Sequence, residues 1–99
     1  MSITIKQLED RLSTVRRQAS EIRTHIDALQ ASRLRVVSEE GVKSKLFKDL
    51  SHQIEEQNLR LIDLQMMGLA IEQNLGQTKR ILQIKQRVEE GRSKEDPAA

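Results

Sequence analysis

The chain lacks cysteine, tryptophan and tyrosine, and its 99 residues include a single phenylalanine and a single proline. Without cysteine it can form no disulfide, thiol nucleophile or thiolate metal site. The scarcity of aromatic side chains argues against a compact globular core, which normally uses them as its largest apolar pieces. The absence of cysteine also fits a reducing compartment, so we expect a cytoplasmic protein.

Long apolar runs are missing as well. No stretch of about 18 apolar residues is present, so the sequence predicts no transmembrane helix. A helix lying on a membrane surface is a weaker alternative, disfavoured by the mixed charge of the first helix, so no membrane partner is expected. The first residues lack the apolar segment of a secretion signal. The four glycines are isolated from one another, so no phosphate-binding loop is present and no cofactor is expected.

Groups that could support catalysis are few and scattered. The two histidines, His25 and His52, fall off the main apolar seam and show no metal-binding spacing. The acidic pairs Glu55-Glu56 and Glu89-Glu90 are typical of solvated helix faces, and no serine has an organised base. We therefore predict no catalytic residue, no metal ligand and no enzymatic activity.

Charged residues, in contrast, make up 32% of the chain, with a net charge of only +2. Together with abundant leucine, isoleucine and glutamine, this composition is typical of long helices and coiled coils. Such a chain buries its apolar face against other helices, often those of a second copy.

The first helix is predicted at about residues 5–37. Thr4 and Gln7 have the spacing of a capping box at its start. Apolar residues then alternate at intervals of three and four, as in a heptad seam. They are Ile5, Leu8, Leu12, Val15, Ala19, Ile22, Ile26 and Leu29.

The seam then becomes polar, and Gly41 is a suitable residue for the end of a helix. We predict a connection at about residues 38–43, although a short β-ribbon through residues 34–37 and 42 is an alternative. A second helix follows at about residues 44–90. The predicted hairpin therefore occupies residues 1–91, and residues 92–99 form a tail that we expect to be disordered.

The second helix is apolar on more than one side. Its main seam includes Phe47, Leu50, Ile54, Leu61, Leu64, Ile71, Leu75 and Leu82. A second row, on the far side in heptad terms, contains Leu59, Ile62, Met66 and Leu69. A third patch near the end contains Ile81, Ile84 and Val88.

Two all-α architectures fit this pattern. The seam stays in phase through the connection, so a single long parallel coiled coil is an alternative. Charged seam residues near the connection and Gly41 favour an antiparallel helical hairpin. Facing seam residues would then have numbers that sum to about 80, such as Leu12 with Gly68, and Glu9 would face Glu72 unfavourably.

The second helix is the longer one, so its last part and its second row lack cover within one hairpin. Leaving large aliphatic side chains in water forfeits roughly 1.5–3 kcal/mol each. We therefore predict a homo-oligomer, most simply a dimeric four-helix bundle. The predicted function is that of a structural or adaptor protein that self-associates and binds another protein. The expected interface consists of Leu59, Ile62, Met66, Met67, Leu69, Ile81, Ile84 and Val88.

Basic residues near the connection offer an alternative function. A patch at the hairpin tip would contain Arg33, Arg35, Lys43, Lys45 and Lys48. Such a patch could bind nucleic acid as part of a regulator. Nearby acidic residues and the lack of aromatic side chains for base stacking make this alternative less favoured.

Overall fold

The structure, a computed structural model, describes residues 3–95. Helix α1 spans Ile5–Glu40. The Thr4 Oγ1 accepts a hydrogen bond of 3.1 Å from the Gln7 backbone N–H, and the Gln7 Oε1 accepts one of 2.9 Å from the Thr4 N–H. The predicted capping box is therefore confirmed, and it satisfies two backbone donors that the first turn would leave unpaired.

Gly41 ends α1 with a positive φ of 86°, a backbone conformation that residues with a Cβ rarely adopt. Its N–H donates to the carbonyl of Val37 over 3.1 Å. The chain then turns through residues 41–44. The Ser44 Oγ accepts a hydrogen bond of 3.0 Å from the Phe47 N–H and so caps the next helix. The connection is shorter than predicted, and the residues proposed for a β-ribbon are helical or lie in this turn.

Helix α2 spans Lys45–Glu95 and contains 51 residues, whereas α1 contains 36. At 1.5 Å per residue these lengths are roughly 76 and 54 Å. The helix continues to Glu95, past the start of the tail predicted at residues 92–99, and residues 96–99 lie outside the described part of the chain. We call residues 80–95, which extend past the start of α1, the overhang.

The two helices run antiparallel and pack along the predicted seam, which confirms the hairpin and excludes the single rod for this chain. The molecule measures 86 × 20 × 16 Å. A core cluster joins Leu8, Leu12 and Leu75, with Ile5 and Ile71 packed against it. Gly68 lies opposite Leu12 and Val15, close to the predicted pairing. Among the described residues no large side chain is completely buried, because two helices cannot enclose one.

The predicted repulsion between Glu9 and Glu72 is wrong. Glu72 accepts a hydrogen bond of 2.7 Å from the guanidinium of Arg16, and Glu9 lies 3.6 Å from the Nζ of Lys79. Helical side chains lean toward the N-terminus of their own helix. In an antiparallel pair this lean displaces the contacts of flanking side chains by about one turn on each helix. Each glutamate therefore meets a cation of the opposite helix.

Within residues 3–95, neither helix has a segment long and apolar enough to cross a membrane.

Candidate interaction surfaces

The outer row, which consists of Leu59, Ile62, Met66 and Leu69, lies on the side of α2 that faces away from α1. Its side chains are between 53% and 64% exposed. The seam residues one turn away are different, since Leu61 and Leu64 are half-buried and Ile54 and Leu75 are buried. The row exists because α2 repeats its apolar spacing on a second face, and one partner helix can cover only one face.

The overhang patch, which consists of Ile81, Ile84 and Val88, has no cover either. These side chains are 50% to 54% exposed, and Leu82 beside them is also exposed. The last ion pair between the helices joins Lys79 to Glu9, four residues after the start of α1. All side chains from residue 81 to residue 90 are exposed. The predicted seam therefore ends at about Leu75 because α1 does not reach farther.

Two grooves run along the sides of the hairpin where small residues bring the helices together. The first has a volume of about 610 Å³ and lies over Ala19 and Gly68, with Arg16 and Glu72 at its edge. Leu69 also lines it, so this groove continues into the outer row. The second, of about 540 Å³, lies on the opposite side, between Arg11 and Thr14 of α1 and Met67 and Ala70 of α2.

Met67 belongs to a surface whose apolar pattern is interrupted in the sequence. It is exposed and lies beside Ala70 in the second groove. Continuing from these residues at intervals of three and four leads to the overhang patch. We call this set the lateral stripe: Met67, Ala70, Asn74, Gln77, Ile81 and Ile84. Its two polar members interrupt the apolar pattern, which is why composition alone did not reveal it.

Only part of the basic patch predicted at the hairpin tip, called the tip cluster below, is exposed to solvent. Arg35, Lys43, Lys45 and Lys48 are exposed around the connection. Arg33, in contrast, is half-buried: its guanidinium lies 5.9 Å from the centre of the Phe47 ring and donates a hydrogen bond of 3.4 Å to the Ser51 Oγ. These contacts explain how a charged residue is accommodated in the seam, since the cation packs over an aromatic face.

The two histidines are exposed and lie on different helices. His52 Nε2 lies 3.1 Å from a carboxylate oxygen of Glu56, one turn along α2. Among the described residues no three histidine, aspartate or glutamate side chains form a group that could hold a metal ion.

Comparisons with protein families, with curated proteins and with solved structures found no match to this chain.

Proposed function

We propose that this chain is a structural or adaptor protein without enzymatic activity. It self-associates through coiled-coil seams, and it binds another protein through the outer row. The supporting observation is that four large aliphatic or thioether side chains lie together on one helix face, each more than half exposed. Contiguous apolar surface of this kind typically marks a site of protein–protein interaction.

Three features make a helical partner suitable for the outer row. The row has the spacing of a coiled-coil seam, which accepts the side chains of another helix. It continues into the first groove through Leu69, so a partner helix could contact both helices of the hairpin. Met66 adds a flexible, polarizable side chain that adapts to different contact surfaces.

Photo-crosslinking from the outer row tests this proposal. A photoreactive amino acid replaces Ile62 in the full-length chain, and the control carries it at Asp27, which is exposed on α1. In native extract we expect the position-62 chain to give an adduct with a different protein that the position-27 chain does not give. Leu69→Asp should abolish that adduct, whereas Gln30→Asp on α1 should leave it. Identical adducts from both positions, or adducts only between copies of this chain, would count against the adaptor role.

The exposed tip cluster supports a second candidate function, which is nucleic-acid binding by a regulator. Three lysines within six residues are exposed at one end of the hairpin. Binding through them should weaken steeply as salt rises, because phosphate contacts release counterions. Reversing Lys43, Lys45 and Lys48 to glutamate should abolish a mobility shift on duplex DNA or RNA. The absence of any complex at low salt with the unaltered chain would dispose of this candidate.

A further inference from the structure

We propose that a second copy of this chain covers the lateral stripe, with the two α2 helices antiparallel. This inference rests on the self-association that forms part of the proposed function, and it names the surface and the register. The stripe is exposed from the second groove to the overhang patch. Its residues recur at intervals of three and four, which is the spacing of a seam between two helices.

The order of residues in the stripe makes it complementary to itself. Two apolar residues, Met67 and Ala70, are followed by two amides and then by two isoleucines. An antiparallel copy presents the same series in reverse. Apolar residues therefore meet apolar residues at both ends, while the amides meet at the centre, where Asn and Gln can hydrogen-bond to each other. A parallel copy in register would also set apolar against apolar and amide against amide, but it would place the two overhangs side by side and leave each second groove without one.

The antiparallel register has facing residues whose numbers sum to 151. Met67 then faces Ile84 of the second copy, and Ala70 faces Ile81 of the second copy. The small Ala70 beside a large isoleucine lets the helices approach closely. Asn74 faces Gln77 of the second copy, and twofold symmetry repeats each of these contacts.

The second groove of one copy lies where it can receive the overhang of the second copy. It is already open between α1 and α2 at Met67 and Ala70, and its α1 wall consists of Asp10, Arg11, Thr14 and Val15. In the proposed register, Ile81 and Ile84 of the second copy lie over this groove. The overhang, which has no α1 beside it in its own hairpin, is therefore covered by the α2 helix of the second copy. By symmetry, each copy covers the exposed overhang of the other copy.

Charge and size are compatible with this arrangement. At the flanking positions, with the side-chain lean seen between α1 and α2, Gln73 lies beside Arg87 of the second copy, and Arg80 approaches Arg80 of the second copy in a single exposed like-charge pair that solvent screens. Asp63 faces Val88 of the second copy, which by itself opposes association, but its carboxylate lies next to Arg87 of the second copy, a cation with which it can pair. The paired region, residues 60–91 of each helix, is about 48 Å long and about 10 Å wide. It buries on the order of 1,000 Å², the minimum expected of a stable interface.

The outer row fits a second copy less well. The antiparallel register that matches all four of its residues sets Leu59 opposite Leu69 of the second copy. In that register Lys48 faces Arg80 of the second copy at both ends of the contact. Such cation pairs oppose association. The outer row therefore remains available to a different protein while the lateral stripe joins two copies.

Directed disulfide formation tests the register, because the natural chain has no cysteine. Ala70→Cys and Ile81→Cys chains carrying different tags are mixed and oxidised. We expect the disulfide between position 70 and position 81 as the main product. Like-with-like disulfides as the main product would overturn the antiparallel arrangement. A mixture of Leu59→Cys and Leu69→Cys chains serves as control, and a stronger 59–69 product than 70–81 product would also overturn it.

A mass measurement completes the test. By light scattering the unaltered chain should be a dimer at micromolar concentration. Ile84→Asp should weaken the dimer on the order of 100-fold in Kd, because it sets a charge against Met67. Leu59→Asp should leave the dimer intact, and circular dichroism should show helix in both variants. A dimer that survives Ile84→Asp, or a monomer of the unaltered chain, overturns this inference. The adduct from position 62 is scored separately, so the adaptor role can stand if this dimer fails.

Discussion

The two helices of the hairpin differ in how many of their faces need a partner. Helix α1 buries six residues along a single seam and presents mainly polar residues elsewhere. Helix α2 shares that seam but also carries the outer row and the lateral stripe, both exposed. The apolar seam of α1 is therefore covered within the hairpin, whereas two apolar surfaces of α2 remain exposed. The difference means that the apolar surface left exposed by the hairpin lies mainly on its longer helix, which is the basis for the proposed contacts with other chains.

The largest expected effect is a difference in the free energy of unfolding between a substitution in the seam of α2 and one in its outer row. Ile54 is 4% exposed and Ile62 is 53% exposed. Ile54→Asp should lower the free energy of unfolding by about 3–5 kcal/mol, because it buries an unpaired charge. Ile62→Asp should lower it by less than about 0.5 kcal/mol. Urea titrations at one protein concentration compare the two variants. Equal losses would mean that α2 does not have two distinct apolar faces.

The next effect compares two glycines of α2, one in the seam and one outside it. A Cβ at Gly68 would lie 3.7 Å from the Val15 Cγ1 and 4.0 Å from the Leu12 Cδ1, whereas one at Gly76 would meet nothing within 4 Å. Gly68→Leu should therefore overpack the seam and cost about 1–3 kcal/mol. Gly68→Ala fits that space and should stabilise the helix by about 1 kcal/mol.

Gly76→Leu provides the matched control for this comparison. It should raise the melting temperature, since leucine is a better helix former than glycine and has open space here. Thermal unfolding followed by circular dichroism gives the sign for each variant. A gain in stability for Gly68→Leu would show that α1 and α2 are not in close contact at this position.

A smaller effect concerns the start of α1, beside which the overhang begins. Thr4→Ala removes the side-chain half of the capping box and should cost about 1 kcal/mol. Thr14→Ala is the control, since the Thr14 Oγ1 only donates to the Asp10 carbonyl within the helix. Chemical denaturation measures both, and equal costs would contradict a specific role for the cap.

The smallest effect concerns the ion pair between the helices at the edge of the first groove. The side chains of Arg16 and Glu72 are 65% and 47% exposed, so solvent screens their attraction. Glu72→Gln should cost less than about 0.5 kcal/mol, and added salt should remove the difference from the unaltered chain. A loss above 1 kcal/mol that persists in high salt would show that this pair helps to fix the register of the hairpin.

Much of this architecture is predictable because helices and seams are local and periodic. The capping box at Thr4 and Gln7 depends on residues three apart, and the predicted α1 seam depends on a repeat along one helix. The close approach at Gly68 follows once the fold direction is chosen. In contrast, the ion pairs of Glu9 and Glu72 were mispredicted, because their partners depend on the lean of side chains across an antiparallel pair.

The candidate surfaces also differ in whether they could be predicted from the sequence. The outer row could be predicted because its four residues repeat on one face of α2, and its exposure agrees with that prediction. The lateral stripe could not, because Asn74 and Gln77 interrupt its apolar pattern and its groove is formed jointly with α1. Arg33 was grouped with the basic tip, but only its contacts with Phe47 and Ser51 show that it packs against the hairpin.

The sequence by itself determined that this protein is all helical, where its helices begin and which faces are apolar, since these follow from caps and from periods along the chain. Tertiary structure alone decided where along α2 the cover from α1 ends and which side chains line the grooves beside it. That outcome depends on where α1 begins and on how far α2 extends past it, and it leaves residues 80–95 without a neighbouring helix in the hairpin. A periodic pattern specifies a face that can pack, but only the position of another helix decides whether that face is buried.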